Sequence, residues 1–312
     1  MQEFSDKIQV LLDEVGQVIV GQESLKRDII IAMLAGGHIL LEGAPGLAKT
    51  RTVNCFARAL KLGFQRIQFT PDLLPSDLVG ARIYDPDLKE FSIKKWPIFA
   101  NFVLADEINR APSKVQSALL ESMEERQVTI WETTFALDNP FMVLATQNPL
   151  EQEGTFHLPE AQLDRFLLKT IIEYPSPLEE KKILTGAISR EEYTIKKIFW
   201  KKDILAFKKE IDQVEVSESI YEYICRIILA SRKNSLYPEI VYGWSPRASL
   251  ALMRCSKVFA AMNGRDFVLP EDIKEMAYPV LRHRIILSYE ALASGVSPDD
   301  MISKILDDVK VS

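Results

Sequence analysis

Short apolar runs alternate with amphipathic segments along the first 176 residues of this 312-residue chain. The runs 39–41, 102–105 and 141–146 are apolar almost throughout, which is typical of strands covered on both faces. Residues 65–69 and 168–172 complete a set of five predicted strands. The segments between the strands place apolar residues at helical spacing. This alternation predicts an α/β fold in which helices sandwich a parallel sheet.

From residue 178 onward only helical periodicity is visible. It predicts an all-helical C-terminal domain with helices at 178–190, 201–211, 217–233, 245–263, 270–280 and 297–309. Pro175-Ser176-Pro177 ends the last predicted strand, so we divide the chain into a core, 1–176, and a helical lid, 177–312.

Two segments of the predicted core interrupt the alternation. Five prolines and glycines between residues 70 and 97 predict an insertion that carries a hairpin, with strands at 81–84 and 90–94. A second hairpin is predicted at 127–137.

Composition excludes several classes of protein. The net charge is −6, from 38 basic and 44 acidic residues, so no overall positive charge favours nucleic acid. Three distant cysteines and three scattered histidines predict neither disulfides nor a zinc site. No apolar run is long enough to span a membrane and no signal sequence is visible, so we expect a cytoplasmic protein.

A glycine- and proline-rich loop follows the first apolar run. Its sequence, Gly43-Ala44-Pro45-Gly46-Leu47-Ala48-Lys49-Thr50, leads into a predicted helix. Backbone N–H groups, a helix N-terminus and a lysine in this order are typical of a phosphate-binding P-loop. Ala48 departs from the general pattern, which has glycine before the lysine. The loop alone is equally compatible with a tight turn that carries a solvated lysine.

Asp106 and Glu107 directly follow the apolar run 102–105. Ligands bind at the carboxyl ends of parallel strands, where these carboxylates would face the P-loop. Asp106, together with the Thr50 hydroxyl, suits an Mg²⁺ site, and Glu107 suits a general base for the attacking water. The alternative is that Asp106 and Glu107 are ordinary polar residues that end a strand. The P-loop earlier in the chain makes this alternative less favourable.

Three further residues fit phosphoryl transfer. Asn148 follows the strand 141–146 and suits a contact with water or the γ-phosphate, although Asn-Pro is also a common turn. Arg165 ends a short predicted helix, where a pair with Asp164 is the alternative. Arg247 lies in the first turn of a predicted lid helix, where a cation opposes the helix dipole, and this indicates a functional role.

With these residues in place, the chain resembles the AAA+ ATPases, and among them the MoxR family. The resemblance covers nearly the whole chain. Ala48 then matches a GxPGxAKT loop that is typical of the family, and we expect it to adopt nearly helical backbone geometry. The resemblance depends on six ordered blocks, which are residues 20–23, 43–50, 104–112, 145–149, 158–166 and 245–247.

The resemblance implies a role for each matched position. Lys49 and Thr50 would be Walker A, and Asp106 and Glu107 Walker B. Asn148 would be sensor 1, Arg165 an arginine finger that reaches the ATP of a neighbouring subunit, and Arg247 sensor 2. The sequence leaves open whether Arg247 acts within its own subunit, and it leaves open the role of Arg110. The other residues expected to bind the nucleotide are Val20, Gly21, Gly43, Ala44, Pro45, Gly46, Leu47, Ala48 and Arg51.

The resemblance also implies a function. We expect Mg²⁺-dependent ATP hydrolysis by a ring, expected to be hexameric, coupled to chaperone-like remodelling or maturation of a partner protein. Proteins with von Willebrand factor A-type domains are one class of client in this family. A nucleic-acid-dependent motor, a metal-chelatase motor subunit and a non-hydrolysing switch are the alternatives. Basic and acidic residues nearly cancel in the hairpin at 81–94, and the hairpin at 127–137 has no Lys or Arg, so nucleic acid is not the expected partner.

Overall fold

The structure is a computed structural model that describes residues 1–44, 46–86, 89–148, 156, 158–188, 193–233 and 235–311. The predicted nucleotide-binding residue Pro45 lies outside this range. The helices and strands follow in chain order: α1 (Gln2–Gly16), α2 (Glu23–Ala35), β1 (Ile39–Glu42), α3 (Lys49–Ala59), β2 (Phe64–Gln68), α4 (Pro75–Val79), β3 (Gly80–Asp85), β4 (Glu90–Lys95), β5 (Phe102–Asp106), α5 (Ser113–Glu125), β6 (Gln127–Ile130), β7 (Thr133–Ala136), β8 (Met142–Gln147), α6 (Glu160–Leu163), β9 (Leu168–Ile171), α7 (Pro177–Ile188), α8 (Lys201–Asp212), α9 (Glu218–Ala230), β10 (Ile240–Tyr242), α10 (Pro246–Met262), α11 (Pro270–Leu281), β11 (Ile286–Leu287), α12 (Tyr289–Ala293) and α13 (Pro298–Asp308).

Five strands form one parallel sheet in the order β2-β5-β8-β1-β9. Two apolar clusters cover its two faces, one with α1–α3 and the other with α5. The middle strands are therefore buried along nearly their whole length, as their unbroken apolar sequences require. The register aligns Gln68 with Asp106 and Glu42 with Gln147, so the carboxyl ends meet at one edge. The predicted fold class is confirmed.

The C-terminal helices pack on the first helices of the chain. One apolar cluster contains residues of α1, α2 and α3 together with residues of α8 to α11 and α13. For example, the rings of Phe4 and Phe207 meet edge to face, 5.0 Å apart. The division at residue 176 remains a prediction, and α7 begins directly after it at Pro177.

The C-terminal region also contains a feature that periodicity does not predict. Strand β10 pairs with β11 in an antiparallel two-stranded sheet. Strands of three and two residues are too short for their alternation to be distinguished from a helix.

Both hairpins predicted in the core are present, as β3 with β4 and β6 with β7.

Candidate active site

The P-loop connects β1 to α3, so its backbone turns at the carboxyl edge of the sheet. Lys49 is the first residue of α3, and its Nζ donates to the Gly43 carbonyl at 2.8 Å. Burial lowers the pKa of Lys49, and the charges of Asp106 and Glu107 partly oppose that shift. Gly46 has a φ of +85° and open space where a side chain would be. The loop therefore places a cation and an uncrowded backbone beside two carboxylates.

Ala48 corrects one expectation. Its φ of 56° and ψ of 17° lie in the left-handed region, and not in the nearly helical geometry expected from its sequence. An L-residue pays roughly 1–2 kcal/mol in this conformation, because its Cβ approaches the following carbonyl oxygen. The loop maintains this geometry without the glycine that usually permits it.

Asp106 and Glu107 lie where β5 ends, opposite the P-loop. The Thr146 hydroxyl, from the neighbouring β8, donates to Asp106 Oδ1 at 2.6 Å and accepts the Glu107 backbone N–H at 2.8 Å. Glu107 has a φ of 58°, a strained conformation for a residue other than glycine. Thr146 therefore fixes the backbone turn that separates the two carboxylates.

Strand β2, on the other side of β5, supplies further contacts to these carboxylates. Arg66 donates to Asp106 Oδ2 from Nη2 at 2.6 Å and from Nε at 3.0 Å. Gln68 Nε2 donates to Glu107 at 2.7 Å, and Arg110 Nε lies 3.1 Å from the same carboxylate. Arg66, Gln68 and Thr146 were not among the predicted site residues, since only the strand order shows that β2 and β8 flank β5.

One cavity of about 400 Å³ brings most of the predicted site residues together. Asn148 is 8% exposed and lies in its wall with both carboxylates. We call it the P-loop cavity, and its lining residues are Gly46, Leu47, Ala48, Lys49, Thr50, Arg51, Arg66, Gln68, Asp106, Glu107, Thr146 and Asn148.

Four other residues predicted to bind the nucleotide, Val20, Gly21, Gly43 and Ala44, do not line this cavity. Gly21 lies against the carboxylate of Glu179 at the first turn of α7. A Cβ at Gly43 would meet the Ile172 carbonyl at 2.8 Å, so this position requires glycine for packing beside β9. Their nucleotide contacts remain predictions.

Arg165 and Arg247 line a different cavity, of about 360 Å³, between the core and the C-terminal helices. Arg165 Nη1 donates to the Leu120 carbonyl at 3.0 Å and lies 3.1 Å from Glu124. Arg247 pairs with the same carboxylate, Glu124. We call this the arginine cavity, and it shares no lining residue with the P-loop cavity.

The donor chemistry of the P-loop cavity fits Mg²⁺ that arrives with a nucleotide. Mg²⁺ usually takes one or two carboxylates and keeps water and phosphate oxygens as its other ligands. Asp106 and the Thr50 hydroxyl are such a partial set. Within the described ranges, no group of three or more His, Cys, Asp or Glu side chains could hold a metal ion by itself.

Among the residues that the structure describes, no helix is long and apolar enough to cross a membrane.

Comparisons with known proteins agree with this architecture. Residues 38–168 match the ATPase family associated with various cellular activities (AAA), and residues 237–305 match the AAA lid domain. The chain is 45% identical to Chaperone MoxR1 of Mycobacterium tuberculosis, over 95% of this chain and 80% of that protein. It is 43% identical to YeaC of Bacillus subtilis, over 96% and 93% of the two chains. A crystal structure of a candidate ATPase from Cytophaga hutchinsonii superposes with a TM-score of 0.93 at 50% identity, covering 99% of this chain and 96% of that one.

Proposed function

Because the chain belongs to the MoxR family of AAA+ ATPases, we propose that it hydrolyses ATP with Mg²⁺ in a ring of identical subunits. The observation that supports this most strongly is the separation of the two cavities. One contains the P-loop lysine and the two carboxylates, and the other contains Arg165 and Arg247. Phosphoryl transfer needs both kinds of group at one phosphate.

In the P-loop cavity, Lys49 and the backbone of residues 46–49 hold the phosphates, while Thr50 and Asp106 hold the metal ion. A metal ion held by these residues would supply positive charge that neutralises the phosphate oxygens. Asn148 orients the attacking water, and Glu107 accepts its proton. Gln68 donates to Glu107 Oε2, and a carboxylate has further acceptor positions on its two oxygens, so Glu107 can be held in place while it accepts a hydrogen bond from the water.

Arg165 and Arg247 face away from this cavity, so we propose that both act on ATP held by the neighbouring subunit. Glu124 holds the two guanidinium groups side by side. A ring provides the arrangement in which each arginine cavity meets the P-loop cavity of the next subunit, and a hexamer is the expected number. This assigns Arg247 to the neighbouring site, which the sequence left open.

The test replaces Arg165 with alanine. We expect Arg165→Ala to bind ATP as the parent protein does and to hydrolyse it roughly 10³-fold more slowly, because an arginine finger contributes about that factor. Arg165→Lys should recover little, since lysine lacks the planar fork that contacts two phosphate oxygens. Unchanged turnover in Arg165→Ala would contradict the shared active site.

A mixing experiment tests whether the arginine acts between subunits. Lys49→Ala subunits cannot hold ATP but retain Arg165, and Arg165→Ala subunits have the opposite defect. Each is expected to be inactive alone, and a mixture should recover part of the activity at mixed interfaces. If mixing restores nothing while mixed rings form, Arg165 acts within its own subunit.

We propose a protein as the client, remodelled or matured by the ring. The relative named Chaperone MoxR1 and the exposed aromatic side chains of the two hairpins support this. Phe91 is 58% and Trp131 71% exposed, and the Arg82 guanidinium lies between them, 4.5 Å and 5.9 Å from their ring centroids. Exposed aromatic groups of this kind are typical of protein-binding surfaces.

Capture with Glu107→Gln, which is expected to stay bound to ATP, should retain the client for identification. Proteins with von Willebrand factor A-type domains are one class to examine. Measurements of turnover with and without DNA or RNA, at several salt concentrations, test the nucleic-acid alternative. Salt-sensitive stimulation by DNA or RNA would contradict a protein client, and porphyrin-linked activity with partner subunits would indicate a chelatase.

A further inference from the structure

The arginine cavity carries more positive charge than its own carboxylates neutralise. His38, also in the wall, is neutral, because burial lowers its pKa to about 3. Two carboxylates, Glu124 and Asp164, therefore face five arginines and leave an excess of three positive charges. The arginines are Arg126, Arg165, Arg247, Arg254 and Arg284.

Both carboxylates are already used. Glu124 pairs with Arg165 and Arg247, and Asp164 accepts a hydrogen bond from Arg284 Nε at 2.7 Å. Among the described residues, the other two arginines of the cavity make no ion pair. Arg126 is half-buried and Arg254 exposed, so the excess charge raises the free energy of the folded state mainly at Arg126, where water screens it less, unless an anion is bound.

The two arginines without a carboxylate differ in their freedom to reach a ligand. Arg126 Nη2 donates to the Gly36 carbonyl at 2.5 Å, which fixes it at the end of α2. Arg254 is exposed, and its Nε makes a long contact of 3.4 Å to the Leu250 carbonyl of its own helix. Burial lowers the pKa of Arg126 and of Arg284, and the charge of Arg254 adds a smaller lowering to both by repulsion between like charges, which the contact with Asp164 opposes at Arg284.

Arg254 shares a face of α10 with Arg247. The two positions are seven residues apart, which is two helical turns and about 10 Å along the axis. Leu250 and Ala251 lie between them in the same cavity wall. One helix therefore presents a row of two cations toward the space that, in the proposed ring, faces the neighbouring subunit.

We propose that Arg254 is a further phosphate-contacting residue, which binds the triphosphate of ATP held by the neighbouring subunit together with Arg165 and Arg247. The inference rests on the proposed ring ATPase. A triphosphate is a polyanion with oxygens at several positions, and guanidinium groups bind such oxygens in pairs. The uncompensated charge of the free subunit then has a function, because the neighbour's nucleotide neutralises it.

The test is the variant Arg254→Ala. The control is Lys274→Ala, because Lys274 is an exposed cation on α11 that does not line the arginine cavity. The isolated Arg254→Ala subunit should bind ATP as the parent does and melt at the same or a higher temperature, because like-charge repulsion is relieved. Assembly into rings with a non-hydrolysable ATP analogue, followed by sedimentation, should need roughly ten- to a hundred-fold more protein, since a charged hydrogen bond to phosphate is lost. Turnover should fall by a similar factor, and Lys274→Ala should match the parent.

A mixing experiment separates a phosphate contact from a structural role. Arg254→Ala subunits mixed with Lys49→Ala subunits should regain turnover, because the ATP bound by the first kind meets an intact Arg254 on the second. Absence of this rescue in mixed rings would overturn the proposal, as would a lower melting temperature of isolated Arg254→Ala. Normal assembly and turnover of Arg254→Ala, with Arg165→Ala inactive, would also overturn it and leave the shared active site intact. If neither variant has an effect, both the inference and the proposed ring mechanism are wrong.

Discussion

The P-loop cavity and the arginine cavity differ in how their charged groups are paired. In the first, groups of the same chain contact both carboxylates, as Arg66 does for Asp106 and Gln68 for Glu107. In the second, five arginines face two carboxylates, and among the residues that the structure describes Arg126 and Arg254 make no ion pair. The P-loop cavity has three cations, Lys49, Arg51 and Arg66, for its two carboxylates, so its excess is one positive charge against three in the arginine cavity. A site whose charges are nearly compensated can be stable within one subunit. A site with excess charge indicates that its counter-ion comes from outside, and the proposed ring provides one.

The largest expected effect tests which cavity contains the base. Glu107→Gln keeps the shape and the hydrogen bond from Gln68 but cannot accept a proton, so turnover should fall roughly 10²- to 10⁴-fold while ATP binding is retained. Steady-state phosphate release and nucleotide-binding titrations measure the two properties. Glu222→Gln, at an exposed position of α9, is the matched control and should behave as the parent. Full activity of Glu107→Gln would remove this residue as the base.

A smaller effect is expected beside the arginine cavity, at Lys208. Burial, followed by the charge of Arg126, lowers the pKa of Lys208 to about 8, against the weaker opposite effect of Asp212. In the unfolded chain the pKa of this lysine is about 10.4. Between pH 8 and 10.4 the unfolded state therefore binds more protons than the folded state, and the free energy of unfolding increases as the pH rises. Below pH 8 the charged lysine costs its full penalty.

Lys208→Met should therefore be more stable than the parent at pH 7, by at least about 1 kcal/mol. The difference should shrink as the pH is raised toward 10, because the parent is then relieved of the charge. Urea denaturation of both proteins at pH 7 and pH 10 measures this. A difference that does not change with pH would show that added apolar packing, and not charge, is the cause.

The smallest effect concerns the backbone of the P-loop cavity. Ala48→Gly should stabilise the protein by about 0.5–1 kcal/mol, because relief of the left-handed conformation exceeds the entropy gained by the unfolded chain. Ala44, whose φ is not positive, is the matched control, and Ala44→Gly should destabilise. Thermal melts compare the two. A loss of stability in Ala48→Gly would show that Ala48 does not bear the expected strain.

Much of the fold followed from short-range pattern. The apolar runs at 102–105 and 141–146 became β5 and β8, because a strand covered on both faces needs continuous apolar sequence. The P-loop cavity was predictable for a related reason. Carboxyl ends of parallel strands meet at one edge, so Asp106, Glu107 and Asn148 were expected together with Lys49, and all four line one cavity.

The features that the sequence did not predict depend on contacts between distant segments or on closure of a loop. Arg66 and Gln68 looked like ordinary polar residues of a strand, and only the order β2-β5-β8 places them on the two carboxylates. The pairing of β10 with β11 joins residues more than forty positions apart, and neither strand is long enough to show alternation. The conformation of Ala48 is set by closure of the loop, which local propensity does not describe.

The sequence by itself determined the alternation of strands and helices, the residues at the strand ends and the membership of the family, because these depend on neighbours along the chain. The tertiary structure alone decided how the charges are divided. Packing of the C-terminal helices on α1 and α2 places Arg247 and Arg254 beside Arg165 and away from Lys49. Electrostatic energy depends on distance through space, so the sequence could name the arginines but could not assign them to a separate cavity.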